Sequence, residues 1–492
     1  MTRIKEGWEA VIGLEVHAQL KTRSKLFSSC PVAGGSTADL SPNTFVDAIT
    51  AALPGTLPVP NGEAIRLAVR LGLALGCTID RRSQFARKHY FYPDSPKGYQ
   101  ISQYDRPICA GGGLAIASKF VRLTRIHLEE DAGKTIHDAR RPESRVDLNR
   151  AGVALVEIVS EPDLASSDEA VAYLKELHRL VVWLGVSDGN MEEGNFRCDA
   201  NVSVRRVGDP KLGTRTEIKN VNSFRFVGLA IDAEIVRQIN VLDGGGAIVQ
   251  ETRGWDEASG TTRSLRSKED AHDYRYFPDP DLLVLDVSDA VYDGERTTLP
   301  ELPAARERRY REALGLTAYD AEVLTQTRLR SDWFEALLSH VDDPKTAANW
   351  IVNDLLGALA KRGQDLGAPD DARGPLAPAT LGALLAGLKG GALSSRMVKD
   401  GLAAALAHGP GFDVAGWIGQ HGGQVSDSAA LIAAIDPILA ANASQVAEYL
   451  SGKDKVFGFF VGQAMKAMKG KAAPEELQRV LRERLDGLRE RG

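Results

Sequence analysis

The stretch Val121-Arg-Leu-Thr-Arg-Ile-His-Leu-Glu-Glu-Asp-Ala-Gly-Lys134 decides how the first half of the chain is read. Apolar and polar residues alternate from Val121 to Leu128 as in a half-buried strand, with Ile126 and Leu128 on one side and Arg125 and His127 on the other. Glu129, Glu130 and Asp131 follow without a break. Adjacent carboxylates repel one another, and a strand end needs no such cluster to stop. A divalent cation relieves the repulsion, because hard oxygen ligands suit Mg²⁺. A solvated turn accounts for the same run, since charge runs usually face water. Alternation places Glu130 on the Ile126 and Leu128 side, so the strand must end or twist there if Glu130 is to join the opposite face.

Outward from this stretch, other segments offer partners. Val11 to Leu20 alternates cleanly, with Ile12, Leu14 and Val16 on one face and Glu15 and His17 on the other. Residues two apart on a strand lie about 7 Å apart and point the same way. A carboxylate and an imidazole so placed hold a metal or exchange a proton, unless the face is merely the wet side of an antiparallel sheet. Glu157 sits among Leu155, Val156, Ile158 and Val159, where a carboxylate is expensive unless paired or metal-bound. Ser166 and Glu169 form a capping box for a core helix ending at Gly185, on which His178 reads as a surface residue. Asp199, Asn201, Ser203 and Arg205 share one strand face, and Glu217 and Lys219 share another; together they suggest a sheet lining a polar cavity. Phe85 to Gln103 and Gln250 to Phe277 interleave basic and aromatic residues, a texture suited to phosphates and stackable bases. The Gly111 to Gly113 run reads as a hairpin turn, and no phosphate-loop motif is present.

The 492 residues exceed one core, and two to four domains are expected. A net charge of −6 opposes wholesale coating of nucleic acid but leaves room for a local basic patch. Cys30, Cys77, Cys109 and Cys198 form no C-x-x-C pair, which fits a reducing compartment. With no apolar leader and no membrane-length apolar run, a soluble cytoplasmic protein is expected, and neither membrane nor DNA as a partner. Near residue 300 helical patterns take over, interrupted by a Gly- and Pro-bearing hinge from His408 to Gly422. From Lys453 onward ten Lys and Arg face six Asp and Glu, which reads either as an RNA-touching surface or as an ordinary charged helical one.

Several of these segments, in this order, resemble the GatB/GatE family, the B subunits of tRNA-dependent amidotransferases. They are Val-Ile-Gly-Leu-Glu-Val-His (11 to 17), Phe-Ala-Arg-Lys-His-Tyr-Phe-Tyr-Pro-Asp (85 to 94), Lys-Gly-Tyr-Gln-Ile-Ser-Gln-Tyr (97 to 104) and His-Leu-Glu-Glu-Asp-Ala-Gly-Lys (127 to 134). Further along come Val-Asp-Leu-Asn-Arg-Ala-Gly (146 to 152), Glu-Ile-Val-Ser-Glu-Pro-Asp (157 to 163), Arg-Cys-Asp-Ala-Asn-Val-Ser (197 to 203), Glu-Ile-Lys-Asn (217 to 220) and Asp-Tyr-Arg-Tyr-Phe-Pro (273 to 278). Residues 458 to 471 look like the family's YqeY-type tail.

The resemblance implies an α+β chain: a cradle-shaped catalytic domain on an antiparallel or mixed sheet over residues 1–300, a helical domain over 301–415, and a helical YqeY-like tRNA-binding tail over 416–492. It implies ATP and Mg²⁺ as cofactors and phosphorylation of the side-chain carboxylate of misacylated tRNA, with ammonia from a partner amidase. The expected assembly is a heterotrimer in which that amidase, the glutaminase partner, and one further small protein join this chain. On the same grounds Glu15, His17, Glu130 and Glu157 are expected at Mg²⁺, with Glu129 in support and Asp131 capping the turn. Lys88, Arg150, Arg197 and Lys219 are expected at phosphate, Glu193, Asp199 and Glu217 at a second metal or the ammonia path, and Tyr90 or Tyr92 under the tRNA acceptor end. Two departures stand out. The family's zinc-binding cysteine positions hold Ser28, Cys30, Asp47 and Thr50, so no structural zinc is expected. His89 replaces a usual Asn.

Overall fold

The computed structural model describes residues 4–32, 40–137, 143–267, 274–368, 371, 374–421, 428–468 and 472–489. Parts of the sequence reading fall on Lys268, Glu269, Asp273, Gly422, Asp427, Lys469 to Lys471 and Arg491, which lie outside this set. The fold is α+β, and the chain divides into two compact units after Leu302.

The first unit is built on a ten-stranded sheet with the Trp8–Gln19 strand near its middle. On one side lie Ala154–Ser160, then Phe120–Glu130, then the short strands Cys109–Ala110 and Thr78–Ile79. On the other lie Phe196–Arg206, Thr216–Val221, Glu251–Asp256 and Thr261–Ser267. Among the described residues every pairing in this sheet is antiparallel except that of Thr216–Val221 with Glu251–Asp256. The register brings like with like: Val16 lies between Ile158 and Cys198, and Ile158 beside Ile126. This apolar side belongs to a core shared with the helices Gly62–Ala74, Ser167–Trp183 and Phe224–Asp243. Each buried Leu, Ile or Val contributes about 1.5–3 kcal/mol. The polar side of the sheet is left to line a cavity.

Local signals were honoured where the chemistry is local. Ser166 Oγ caps the helix by accepting from Glu169 N at 3.2 Å, while the Glu169 carboxylate reaches one residue beyond the cap and accepts from Ala165 N at 2.8 Å, a variant of the expected box. The helix stops as Gly185 takes φ +67°. Other expectations change. Gly111 and Gly112 are not a hairpin turn: Cys109–Ala110 and Gly113–Ala115 both pair with Phe120–Glu130, and the glycines (φ +66° and +79°) kink this edge between them. A Cβ on Gly112 would lie 2.5 Å from Leu75 O. His178 is half-buried rather than a surface residue, with its Nε2 2.8 Å from Gly189 O and its ring edge-on to Phe196 and Phe224.

The second unit is helical and holds two hydrophobic cores, one from Tyr310 to Leu406 and one from Leu431 to Leu485. The segment read as a hinge contains the helix Val414–His421. The helical region expected from near residue 300 includes Pro303–Glu312, Ala318–Leu324 and Arg328–Leu338, and one further helix, Asp289–Thr298, precedes it within the first unit. Their apolar residues are short runs between charged ones. No single helix among the described residues is long and apolar enough to cross a membrane.

Candidate active site

The sheet register assembles the site. His17 lies opposite Glu157 on one neighbouring strand and Arg197 on the other, while Glu157 lies opposite His127. One row across four strands therefore reads His127, Glu157, His17, Arg197, and Glu129 follows His127 two residues along its strand. His17 Nε2 stands 3.3 Å from Glu157 Oε2 and 3.7 Å from Glu129 Oε1. His127 Nε2 closes the group from the other side, 3.4 Å from Glu157 Oε2 and 3.8 Å from Glu129 Oε2. One ligand atom from each of His17, Glu129 and Glu157 fits within a 4.8 Å span.

Burial decides between the solvated turn and the site. Glu129, Glu130 and Asp131 are 2%, 5% and 5% exposed, so none of the three acids faces open water. Each has its own partners, because the strand neither ends nor twists before Glu130. Glu130 continues the alternation away from the histidines; it accepts from Ile101 N at 2.9 Å and pairs with Lys97. Glu129 takes the place expected of Glu130 at His17. Asp131 does more than cap the turn: it accepts from Gln19 Nε2 at 2.9 Å and Arg197 Nη2 at 3.0 Å, with Arg150 Nε at 3.6 Å.

The electrostatics follow from crowding charges in a buried place. Burial would raise the Glu157 carboxyl, but His127, the hydrogen-bonded His17 and Lys88 hold it well below the usual range. Burial opposes the charged form of His17, yet its hydrogen bond with Glu157 and the charges of Glu157 and Glu129 raise its pKa. Lys88 is likewise held protonated against burial, chiefly by Glu129. Glu15 goes the other way: burial, then repulsion from Glu157, Glu217 and Asp199, raise it. It accepts from Asn201 Nδ2 at 3.0 Å and does not join the His17 group.

A cavity of about 500 Å³ opens over this face. Its lining brings together His17, Glu129, Glu130, Lys88, Arg197, Asp199, Lys219 and Tyr90. Lys219 spans Asp199 at 2.9 Å and Glu217 at 3.1 Å. Tyr90 and Tyr92 stack on each other, centroids 4.4 Å apart. Six expected residues stand apart from the lining: Glu15, Arg150, Glu157, Glu193, Glu217 and Tyr92. The Arg150 guanidinium donates to Ala132 O at 2.9 Å and Gly133 O at 2.7 Å, bracing the turn instead. Glu193 lies in the turn after Asn190, whose Oδ1 accepts from its backbone N–H at 3.2 Å. The reading missed His127, Lys97 and Lys25. The alternation that placed His127 beside Arg125 was the available signal for the first; the other two depend on chain neighbours far away.

Ser28, Cys30, Asp47 and Thr50 form a different kind of staple. Asp47 Oδ1 accepts from Thr50 N at 2.8 Å, Ser28 Oγ from Cys30 N at 3.2 Å, and the buried Lys25 donates to Phe45 O at 2.7 Å and Leu148 O at 3.3 Å. One thiol, with hydroxyls and a carboxylate already engaged and an ammonium alongside, does not fit a zinc ion.

Comparison with known proteins places this geometry. The family profile of the GatB/GatE catalytic domain matches residues 10–293, and that of the GatB domain matches residues 332–485. The B subunit of the aspartyl/glutamyl-tRNA(Asn/Gln) amidotransferase of Thioalkalivibrio sulfidiphilus is 51% identical over 484 residues, covering 97% of this chain and 99% of its own. The protein of the same description from Halorhodospira halophila is 52% identical over 487 residues, covering 98% and 99%. With the catalytic-domain profile spanning more than half of its length and such relatives matched nearly end to end, the chain belongs to the GatB/GatE family.

Proposed function

We propose that the chain is the B subunit of a glutamine-dependent aspartyl/glutamyl-tRNA amidotransferase, a ligase that forms a carbon–nitrogen bond. In this reading it phosphorylates the side-chain carboxylate of Glu on tRNA(Gln) or Asp on tRNA(Asn) with ATP, then converts the acyl phosphate to the amide. The observation that carries the reading is the convergence of His17, Glu129 and Glu157, of which His17 and Glu129 line the cavity together with Lys88. The two carboxylates are hard donors that suit Mg²⁺, whereas the His17 imidazole is a softer ligand than Mg²⁺ prefers and is included on the family resemblance. When bound, the ion neutralises phosphate charge and orients the transferring group.

The chain's own residues supply the rest. Lys88 and Arg197 both offer positive charge to the cavity, with Arg197 aimed by its bond to Asp131, and Lys219 stands on the strand adjoining that of Arg197. A substrate carboxylate oxygen attacks the γ-phosphorus and ADP leaves. Ammonia then attacks the acyl carbon, the bond to phosphate oxygen breaks, and the nitrogen loses a proton to a cavity carboxylate. The enclosing walls exclude water that would hydrolyse the acyl phosphate. Ammonia comes from a partner amidase, and a small third protein completes a cytosolic heterotrimer; the helical second unit offers a surface for tRNA.

Glu157→Gln in the assembled complex tests this. ATP-dependent phosphorylation of misacylated tRNA is expected to fall by about 10²-fold or more while tRNA stays bound and the partner still hydrolyses glutamine. Undiminished phosphorylation would remove the chemistry from this site and leave the chain a tRNA-binding scaffold.

A further inference from the structure

We infer that Glu234 is a positioning residue: a buried carboxylate clasp behind the sheet that sets the register of the parallel strand pair and thereby places Lys219 and Thr252 at the cavity. Glu234 is 0% exposed on the Phe224–Asp243 helix. Its Oε1 accepts from Thr216 Oγ1 at 2.7 Å, Gln238 Nε2 at 2.9 Å and Arg237 Nη2 at 2.7 Å. Its Oε2 accepts from Thr262 Oγ1 and Arg237 Nε, each at 2.9 Å, with Arg253 Nε at 3.4 Å. Gln238 Nε2 extends the network to Val202 O at 3.0 Å, and Arg253 Nη2 donates to Thr262 O at 2.7 Å. The carboxylate thus ties its helix to three consecutive strands of the sheet, and Gln238 extends the tie to a fourth.

The need for such a clasp follows from the sequence of the strands it holds. Register is normally set by the apolar pattern, and a one-residue slip turns every side chain to the opposite face. Thr216–Val221 carries only Ile218 and Val221 as apolar residues, and Glu251–Asp256 only Trp255. No hairpin fixes a parallel pair either. The clasp grips Thr216 and Arg253, and the residues adjacent to them, Glu217 and Thr252, point to the cavity side. There they are paired in register, with Thr252 Oγ1 donating to Glu217 Oε2 at 2.8 Å beside Lys219. Glu234 reaches no substrate; it acts through these strands.

The test compares Glu234→Gln with Glu295→Gln. Glu295 is a second buried carboxylate, bound to Arg66 at 2.8 Å and Arg70 at 2.7 Å on helices remote from the parallel pair. Its replacement therefore controls for lost stability alone. The activity readout rests on the function proposed above, in the assembled complex and well below either Tm. Glu234→Gln is expected to lower kcat for phosphorylation at least about tenfold, as misplaced groups do, and Glu295→Gln to leave it unchanged. Independently of activity, amide exchange is expected to rise in Thr216–Val221 and Glu251–Asp256 of the Glu234 variant but not in Trp8–Gln19. Retained kcat, or exchange that rises evenly over the sheet, would overturn the inference. Should the parent complex not phosphorylate tRNA, the functional reading fails and the exchange pattern still decides the clasp. Thr262→Val, which deletes one hydrogen bond of the clasp, gives the same readings in a smaller measure if Glu234→Gln does not fold.

Discussion

Exchanging the charges of Glu129 and Glu130 one at a time separates two neighbours that differ only in which way the strand turns them. Glu129 presents its two oxygens 3.7 and 3.8 Å from the His17 and His127 Nε2 atoms, whereas Glu130 is engaged with Lys97 and Ile101 N. Gln at 129 keeps the volume and removes one of the two carboxylate charges offered to a divalent cation. A unit pair 4 Å apart in an effective dielectric of 20 interacts by about 4 kcal/mol. At about 1.4 kcal/mol per factor of ten that approaches a thousandfold in affinity. Nearby Lys88 and the two imidazoles offset part of it, so Glu129→Gln is expected to raise the half-saturating Mg²⁺ concentration by about 10²-fold. Gln at 130 still accepts from Ile101 N and weakens only the bond to Lys97, a charge-assisted bond worth about 1–3 kcal/mol. Its Tm should fall by a few degrees while the Mg²⁺ requirement stays within about threefold of the parent. Mg²⁺ titration of ATP-dependent phosphorylation, alongside thermal unfolding, reads both. A Mg²⁺ requirement raised by Glu130→Gln and untouched by Glu129→Gln would refute the assignment.

Asp131→Asn should cost about 1–2 kcal/mol, since Arg197 is partly solvated. A double-mutant cycle with Arg197→Ala should show the two effects to be less than additive, and strict additivity would dissolve the pair. For pH, burial raises the Glu234 carboxyl but Arg237, Gln238 and Thr216 more than offset this and depress it in the folded state. Its stabilisation is therefore complete above the unfolded value near 4.3 and lost as pH falls through the lower folded value. Urea midpoints should accordingly fall less steeply below about pH 4.5 in Glu234→Gln than in the parent, and parallel acid limbs would contradict this. Gly112→Ala, at φ +79° with its new Cβ 2.5 Å from Leu75 O, should destabilise by about 2–3 kcal/mol in urea unfolding; an unchanged midpoint would show that this edge yields freely.

What the sequence made legible was whatever alternation or burial cost could reach without knowing which strands are neighbours. Glu157 in an apolar run announced a site because an unpaired carboxylate there is costly, and its partners are His17 and His127. The shared face of Glu15 and His17 was equally readable, but register then separates them: His17 falls opposite Glu157 and Glu15 opposite Val159. Glu130 was preferred over Glu129 only by assuming a strand end that the backbone does not make. Lys97 and Asp131 were opaque for another reason. Asp131 meets Gln19 and Arg197 only because distant strands are neighbours in the sheet, Lys97 arrives on a loop, and nothing in Ser-Pro-Lys-Gly specifies that its ammonium meets Glu130. His178 misled because its helix position is semi-polar, while the loop that covers it follows later in the chain.

The central position of the Trp8–Gln19 strand also shapes how the protein is made. The strand leaves the ribosome well before the strands that flank it, Ala154–Ser160 and Phe196–Arg206. At about 5–20 residues per second the wait is roughly ten to thirty seconds. Throughout it a twelve-residue strand has both edges unpaired and the apolar row Ile12, Leu14 and Val16 uncovered. The nascent chain thus carries its most adhesive segment longest, so this strand is where a ribosome-associated chaperone has most to shield. The cavity, whose lining residues extend no further than Tyr274, can close while the helical unit is still being translated.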